Sequence, residues 1–269
     1  AINKILNKNK ILAPRLYTQR YDKNFIEIED FGNETVFKTL KKKGKNKLSY
    51  FNRIIELLIQ IQSIKHRKVK NFKNQNYIVP KYDKKILINE ANLFCDWYAK
   101  NNLSKLRKKR FCKKFKKIIK ELTLKLKLKD NIFVHRDFHV SNLMSVKNQI
   151  GLIDSQDALI GNKAYDLASL IDDVRLKTSY SFKEKIFKFY IKKQKNLDIK
   201  KFKNDFEILS VLRNLKIIGI FTRLALRDRK KNYLRFIPYT WQLINMRIDQ
   251  NQTFIDLKNL LSQNFKKIK

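Results

Sequence analysis

The octet HRDFHVSN, His135 to Asn142, decides how the rest of the chain is read. It follows the apolar run NIFV (Asn131–Val134), and NLMSV (Asn142–Val146) and QIGLIDS (Gln149–Ser155) come directly after it. Short apolar runs separated by polar turns suit strands flanking a loop. Asp137 and Asn142 stand five apart in that loop, and Asp154 closes the run IGLI. Phosphoryl transfer from a nucleotide asks a protein for a carboxylate that orients the acceptor hydroxyl and for oxygen ligands that hold Mg²⁺ across the phosphates. Asp137 suits the first role, and Asn142 and Asp154 suit the second, because Mg²⁺ takes few protein oxygens and keeps several waters. The competing reading is that Asp137 and Asn142 merely shape a turn. Position weighs against it, since the octet follows one strand-like run and Asp154 ends another. A further carboxylate, Asp166 in GNKAYDLASLIDD (Gly161–Asp173), precedes an apolar helical run. Taken alone it is an ordinary acid at a helix N-terminus.

On the N-terminal side, ILAPRLY (Ile11–Tyr17) and FIEIEDFG (Phe25–Gly32) read as two short strands. Phe51, Ile54, Ile55, Leu58 and Ile61 then recur at helical spacing, as do Leu93, Phe94, Trp97 and Tyr98 in NEANLFCDWYAK (Asn89–Lys100). The chain stays helical and charged to about Leu128, and beyond Ala164 everything reads as helix. KKKGKNK (Lys41–Lys47) reads as a loop and RKKRFCKKFKK (Arg107–Lys117) as a solvated helix face, in preference to a nucleic-acid patch using Phe111 and Phe115.

With 269 residues, 43% of them hydrophobic, the chain can build one large core or two lobes with a cleft. The formal charge of +38 favours anionic ligands. Abundant Lys, Asn, Ile, Phe and Tyr beside 5 Gly and 3 Pro also mark an AT-rich coding sequence, so the charge alone does not call for a nucleic-acid partner. Cys95 and Cys112 form no CxxC pair, which fits a reduced cytoplasm, and three histidines with two distant cysteines make no zinc site. No apolar stretch approaches the ~20 residues that span a bilayer, so no membrane association is expected. His66, amid Lys and Arg, reads as a surface residue.

The stretch LSVLRNLKIIGIFTRLALRD (Leu209–Asp228) is apolar on nearly every side of a helix and should be buried. Arg213, Lys216, Arg223 and Arg227 fall within about an 80° sector of it. Such a stripe either snorkels to solvent along an edge or lines a pocket for an anion. An acidic sugar would suit the pocket and a polycationic aminoglycoside would not.

VHRDFHVSNLM, IGLIDSQDALIG and YDLASLIDD, in this order and spacing, resemble the aminoglycoside phosphotransferase/choline kinase superfamily. LINEANLFCDWYAK and LRNLKIIGIFTRLALRDRKKNYLRFIP resemble its bacterial branch of anomeric sugar kinases, which phosphorylate N-acetylmuramate and N-acetylglucosamine in cell-wall (peptidoglycan) recycling. The resemblance runs from about residue 11 to about residue 240. It implies an α+β, protein-kinase-like two-lobe fold, with residues 1–32 as an incomplete small β lobe plus hinge. Residues 33–269 would be a mainly helical C-terminal lobe carrying a catalytic loop (135–142) and a metal-binding segment (151–157). It further implies ATP and Mg²⁺, Asp137 as catalytic base, Asn142 and Asp154 as Mg²⁺ ligands, and Asp166, with His135 as scaffold, supporting the loop. EDFG would be the hinge, with the backbone of Glu29 and Phe31 facing adenine, and Arg213 and Arg223 are candidates for substrate contact. A protein kinase proper fits less well, because Ser155 and Gln156 follow Asp154 where Phe-Gly is usual. Alternatives are an aminoglycoside- or choline-type kinase, or a catalytically weak kinase-fold basic protein that binds nucleic acid.

None of Gly32, Gly44, Gly151, Gly161 and Gly219 can form a GxGxxG loop. In the resemblance, AINKILNKNKIL is the end of the small-lobe helix, so the phosphate-gripping hairpin and lysine would precede Ala1. If Ala1 is the true start, ATP affinity and turnover should both suffer, and weak or absent activity is expected of residues 1–269 alone.

Overall fold

The computed structural model describes residues 1–42, 44, 46–71 and 73–265. Lys43 and Lys45 of the expected Lys-rich loop lie outside the described residues. In chain order the elements are α1 (Ile2–Lys8), β1 (Leu16–Arg20), β2 (Phe25–Ile28), α2 (Val36–Lys41), α3 (Lys47–Gln62), β3 (Lys68–Lys70), β4 (Asn76–Ile78) and α4 (Lys84–Leu93). A π-helical turn, Phe94–Ala99, leads through α5 (Lys100–Asn102) into α6 (Lys105–Leu124). β5 (Asp130–Val134), β6 (Leu143–Val146), β7 (Gln149–Leu152), β8 (Leu159–Asn162), α7 (Tyr165–Ile171) and α8 (Tyr180–Lys192) follow. α9 (Ile199–Leu226), α10 (Ile237–Ile248) and α11 (Ile255–Asn264) end the series.

Helix starts are set by side chains that accept orphan backbone N–H groups. Thr35, Asn46, Asp83, Ser179 and Asp198 each accept from the residue three positions on, at 2.8 to 3.2 Å. The strand at Ile11–Tyr17 begins later than its apolar pattern suggests, at Leu16, because Pro14 has no N–H to give a ladder.

Two compact units result, Ala1–Lys81 with Lys129–Leu197, and Tyr82–Leu128 with the chain from Asp198. In the first, all four strand pairs are antiparallel. β6 and β7 form a hairpin with Leu143 opposite Leu152 and Met144 opposite Gly151. Its two-residue turn is Lys147–Asn148, both left-handed (φ 42 and 65), the geometry that matches strand twist. β5 pairs with β8, Phe133 facing Ile160 and Val134 facing Leu159. The chain therefore leaves β5 at His135 and re-enters β6 at Leu143, which fixes both ends of the octet.

The second unit is helical around one apolar core. Phe111, Phe115, Ile119 and Leu122 bury one face of α6 and leave its lysines to solvent. Phe94 sits at the centre, 5.5 Å from each of Phe115, Trp241 and Phe265 between ring centroids. α9 is buried over most of its 28 residues, as its apolar circumference requires. Gly219 lets it approach α4, since a Cβ there would lie 2.4 Å from the carbonyl of Leu93. Only glycine fits against backbone at that distance. Cys95 and Cys112 are free thiols. Among the described residues, no helix is long and apolar enough to cross a membrane.

Candidate active site

Phe138 and Val140 are fully buried, so the octet hangs from the core by two apolar anchors. Between them the polar residues bond back on the loop itself. His139 N donates to Asp137 O at 3.0 Å, and Asn142 N donates to His139 O at 2.9 Å. The register that sets Leu143 opposite Leu152 also brings Ile153 N to the Asn142 carbonyl at 3.1 Å. Asn142 and Asp154, twelve positions apart in sequence, thereby become neighbours. The Asn142 Nδ2 group lies 3.1 Å from Asp137 O and 3.4 Å from Asp154 Oδ2. With its nitrogen turned that way, the amide oxygen of Asn142 is left as an acceptor for a cation.

Asp154 has φ 61, a left-handed conformation unusual for a side-chain-bearing residue. Gln156 Nε2 steadies its other oxygen, Oδ1, at 2.7 Å. Ser155 donates to the side chain of Asn3 in α1, and Asn3 Nδ2 donates to Pro14 O at 2.8 Å. Neither Gln156 nor Asn3 was marked by the sequence. Gln156 could have been suspected from its place two residues beyond Asp154; Asn3 carries no signal.

Asp166, at 1% exposure, accepts His135 N at 2.7 Å on one oxygen and Arg136 N at 3.0 Å on the other. Arg136 also has a left-handed backbone, φ 75. Two consecutive N–H groups held by one buried carboxylate stabilise that strained turn at the loop's entrance. The His135 ring is fully buried, and burial pushes it down to about 4, so at neutral pH it is uncharged. As the neutral tautomer it donates from Nε2 to the carbonyl of Ile153 at 3.1 Å. His135 thus ties the loop to the segment carrying Asp154.

A cavity of about 780 Å³ opens within the first unit, lined by Asn3, Lys4, Ile28, Glu29, Phe31, Met144 and Asp154, among others. Glu29 N is already used, donating to Arg15 O at 2.8 Å, which leaves its carbonyl for a ligand. The Phe31 ring lies over Gly151, where a Cβ would come within 2.8 Å of it. Glycine at that β7 position makes the room the ring occupies. Among the described residues no three His, Cys, Asp or Glu side chains gather to hold a metal. Asn142 and Asp154 nonetheless fit Mg²⁺, which is content with one or two protein oxygens alongside phosphates and water.

The structure thus brings Asp137, Asn142, Asp154, His135 and Asp166 together, and Glu29 and Phe31 line one cavity with Asp154. Arg213 and Arg223 belong to α9 of the second unit, Arg213 buried and Arg223 half-buried.

A profile of the family described as phosphotransferase enzyme family matches residues 2–196. A protein of Neisseria meningitidis serogroup B called N-acetylmuramate/N-acetylglucosamine kinase is 28% identical over 232 residues, 84% of this chain and 67% of the relative. A Pseudomonas aeruginosa protein of the same name is 28% identical over 256 residues, 93% of this chain and 72% of the relative. Among solved structures, a choline/ethanolamine kinase family protein from Mesorhizobium loti superposes with a TM-score of 0.64 at 10% identity, over 96% of this chain and 80% of that one. The likeness bears out the α+β, kinase-like fold expected from the sequence.

Proposed function

The chain belongs to the phosphotransferase enzyme family, and on that premise we propose that it is a sugar kinase that moves the γ-phosphoryl group of ATP to the anomeric hydroxyl of N-acetylmuramate or N-acetylglucosamine. The acceptor class is supported by the names of the relatives that align along most of the chain.

In this reading Asp137 accepts the proton of the acceptor hydroxyl as its oxygen bonds to the γ-phosphorus. The bond from that phosphorus to the β-bridging oxygen breaks, and ADP leaves with the electron pair. The base need only orient and deprotonate, because the transition state is loose and most of the catalysis is positioning and charge stabilisation. Asn142 and Asp154 hold Mg²⁺, which when bound neutralises charge on the phosphate oxygens. The Glu29 carbonyl and the Phe31 N–H face the adenine edge, and the Phe31 ring over Gly151 sets the wall beside it. Asp166 and His135 keep the loop in register with Asp154. The observation that carries the reading is the single amide of Asn142, which reaches both the Asp137 carbonyl and the Asp154 carboxylate.

The test is ADP release in the presence of Mg²⁺ across a panel of N-acetylated hexoses, aminoglycosides and choline. Turnover confined to aminoglycosides or choline would overturn the acceptor assignment.

A further inference from the structure

The β6–β7 hairpin has a cavity on each face. Successive side chains of a strand point to opposite sides, so Met144 lines the cavity beside Asp154 while Ser145, the next residue, lines another. Ile150, opposite Ser145 in the register, joins it there. This second cavity, of about 320 Å³, lies wholly within the first unit, between the Lys147–Asn148 turn and residues of α2 and α3. Thr39, Tyr50, Ser145 and Gln149 give its wall hydroxyl and amide groups.

The charges in that lining do not cancel. Glu34 is the one carboxylate among the described lining residues, and it is taken. Lys42 Nζ lies 2.8 Å from its Oε1, to which Thr39 Oγ1 also donates at 3.0 Å. These bonds hold the Glu34 carboxyl below the usual carboxylate range, so at neutral pH it is charged and offsets Lys42. Arg53 and Lys147 line the same cavity, and among the described residues neither has a carboxylate partner. Arg53 is also fixed in place. Its Nη2 donates to the Asn148 carbonyl in the left-handed turn, and its guanidinium lies 5.6 Å from the centre of the Tyr50 ring. A freely solvated lysine gives an anion little, because ordering its side chain costs up to about 2 kcal/mol. An arginine already pinned to a turn is ordered before any ligand arrives, and its guanidinium has donors to spare after that bond.

We propose that this cavity is a second ligand site, for a small anion that carries a phosphate group, on the face of the β6–β7 hairpin opposite the cavity beside Asp154. Arg53 supplies a planar fork that matches phosphate oxygens, and Lys147 supplies a point charge at the rim. Two uncancelled cations match a phosphomonoester, about −1.5 to −2 at neutral pH, better than the single charge of a carboxylate. A volume of about 320 Å³ stands at the small end of ligand cavities, which suits a phosphate with a short hydroxylated body. The hydroxyl and amide groups of the wall serve that body. The proposal does not depend on which acceptor the catalytic loop serves.

The experiment titrates the protein with inorganic phosphate and with glycerol 3-phosphate, followed by phosphorus NMR at constant ionic strength, with and without ADP and Mg²⁺. Saturable binding that persists with ADP is expected, at least about fivefold weaker when Arg53→Gln and Lys147→Gln are combined. Lys113→Gln with Lys114→Gln removes the same charge from the exposed face of α6 and should leave binding unchanged. Lys147→Gln alone, on the surface of the turn, should weaken binding several-fold and supplies the answer if the double variant does not fold. Tighter binding of glycerol 3-phosphate assigns the site to a phosphomonoester, and equal binding assigns it to the free anion. Equal weakening in the two double variants would show that the net charge of +38 attracts the anion without help from this cavity, and would overturn the proposal. Displacement by ADP, or binding that does not saturate, would overturn it as well. None of these readouts uses turnover, so the sugar-kinase reading and this proposal fail separately.

Discussion

Asn142 Nδ2 stands 3.4 Å from Asp154 Oδ2, although the two residues are twelve positions apart. The β6–β7 register creates that proximity, and in the proposed reading the Asn142 amide and the Asp154 carboxylate would each give a divalent cation an oxygen. Asp154→Ala removes one of the two oxygens. The expected effect is a fall in turnover of roughly 10²-fold or more with a raised Mg²⁺ requirement, read from a Mg²⁺ titration of initial rates. Normal rates at low Mg²⁺ would remove Asp154 from the metal's coordination.

Asp166→Ala leaves the N–H groups of His135 and Arg136 without their acceptor in a closed environment. The expected loss of stability is on the order of 3 kcal/mol, with activity reduced even in the fraction that remains folded. Chemical denaturation followed by fluorescence measures the first quantity. A loss under about 0.5 kcal/mol, the range of ordinary surface changes, would contradict the account of the strained turn at Arg136.

Gly151→Ala pushes a methyl group to within 2.8 Å of the Phe31 ring, so the ring must move. Overpacking of this kind costs about 1–3 kcal/mol. Because Phe31 borders the cavity proposed for the nucleotide, the Michaelis constant for ATP should rise several-fold while that for the sugar stays the same. Equal rises in both would mean that the change spreads beyond Phe31 and the cavity it borders.

His135 supplies a pH signature. The unfolded chain takes up this proton near the ordinary value of 6.5, the folded protein only near 4. Between those values the unfolded state binds more protons, so stability declines as pH falls from about 6.5 towards 4 and is unaffected by this group above 6.5. The contribution is on the order of 3 kcal/mol by pH 4. His135→Gln keeps a donor for Ile153 without the titration, so its stability should fall less steeply with acid than that of wild type. Parallel curves from about pH 7 to pH 4 would show that His135 does not titrate as described.

Much of this fold was legible because its signals were local. The apolar runs around the octet became β5, β6 and β7, and the all-round apolar stretch at Leu209–Asp228 became the buried helix α9. The π-helical turn at Phe94–Ala99 was not legible, since an inserted residue barely disturbs helical spacing over six positions. Nor were β3 and β4, three residues each amid lysines and asparagines, too short to show an alternation. At the site, the acidic and amide residues stood out by spacing. Their supports did not, because the link from Asn3 to Ser155 and the fit of Phe31 over Gly151 join segments more than a hundred residues apart and leave no periodic trace.

The central claim is that Asp137 is the base of a metal-assisted sugar kinase. Asp137→Asn preserves shape and removes the charge that accepts the proton. With Mg²⁺, ATP and N-acetylmuramate or N-acetylglucosamine, initial rates of ADP release should drop by about 10²- to 10⁴-fold while nucleotide affinity is retained. A rate within twofold of wild type, at unchanged nucleotide affinity, would contradict the account.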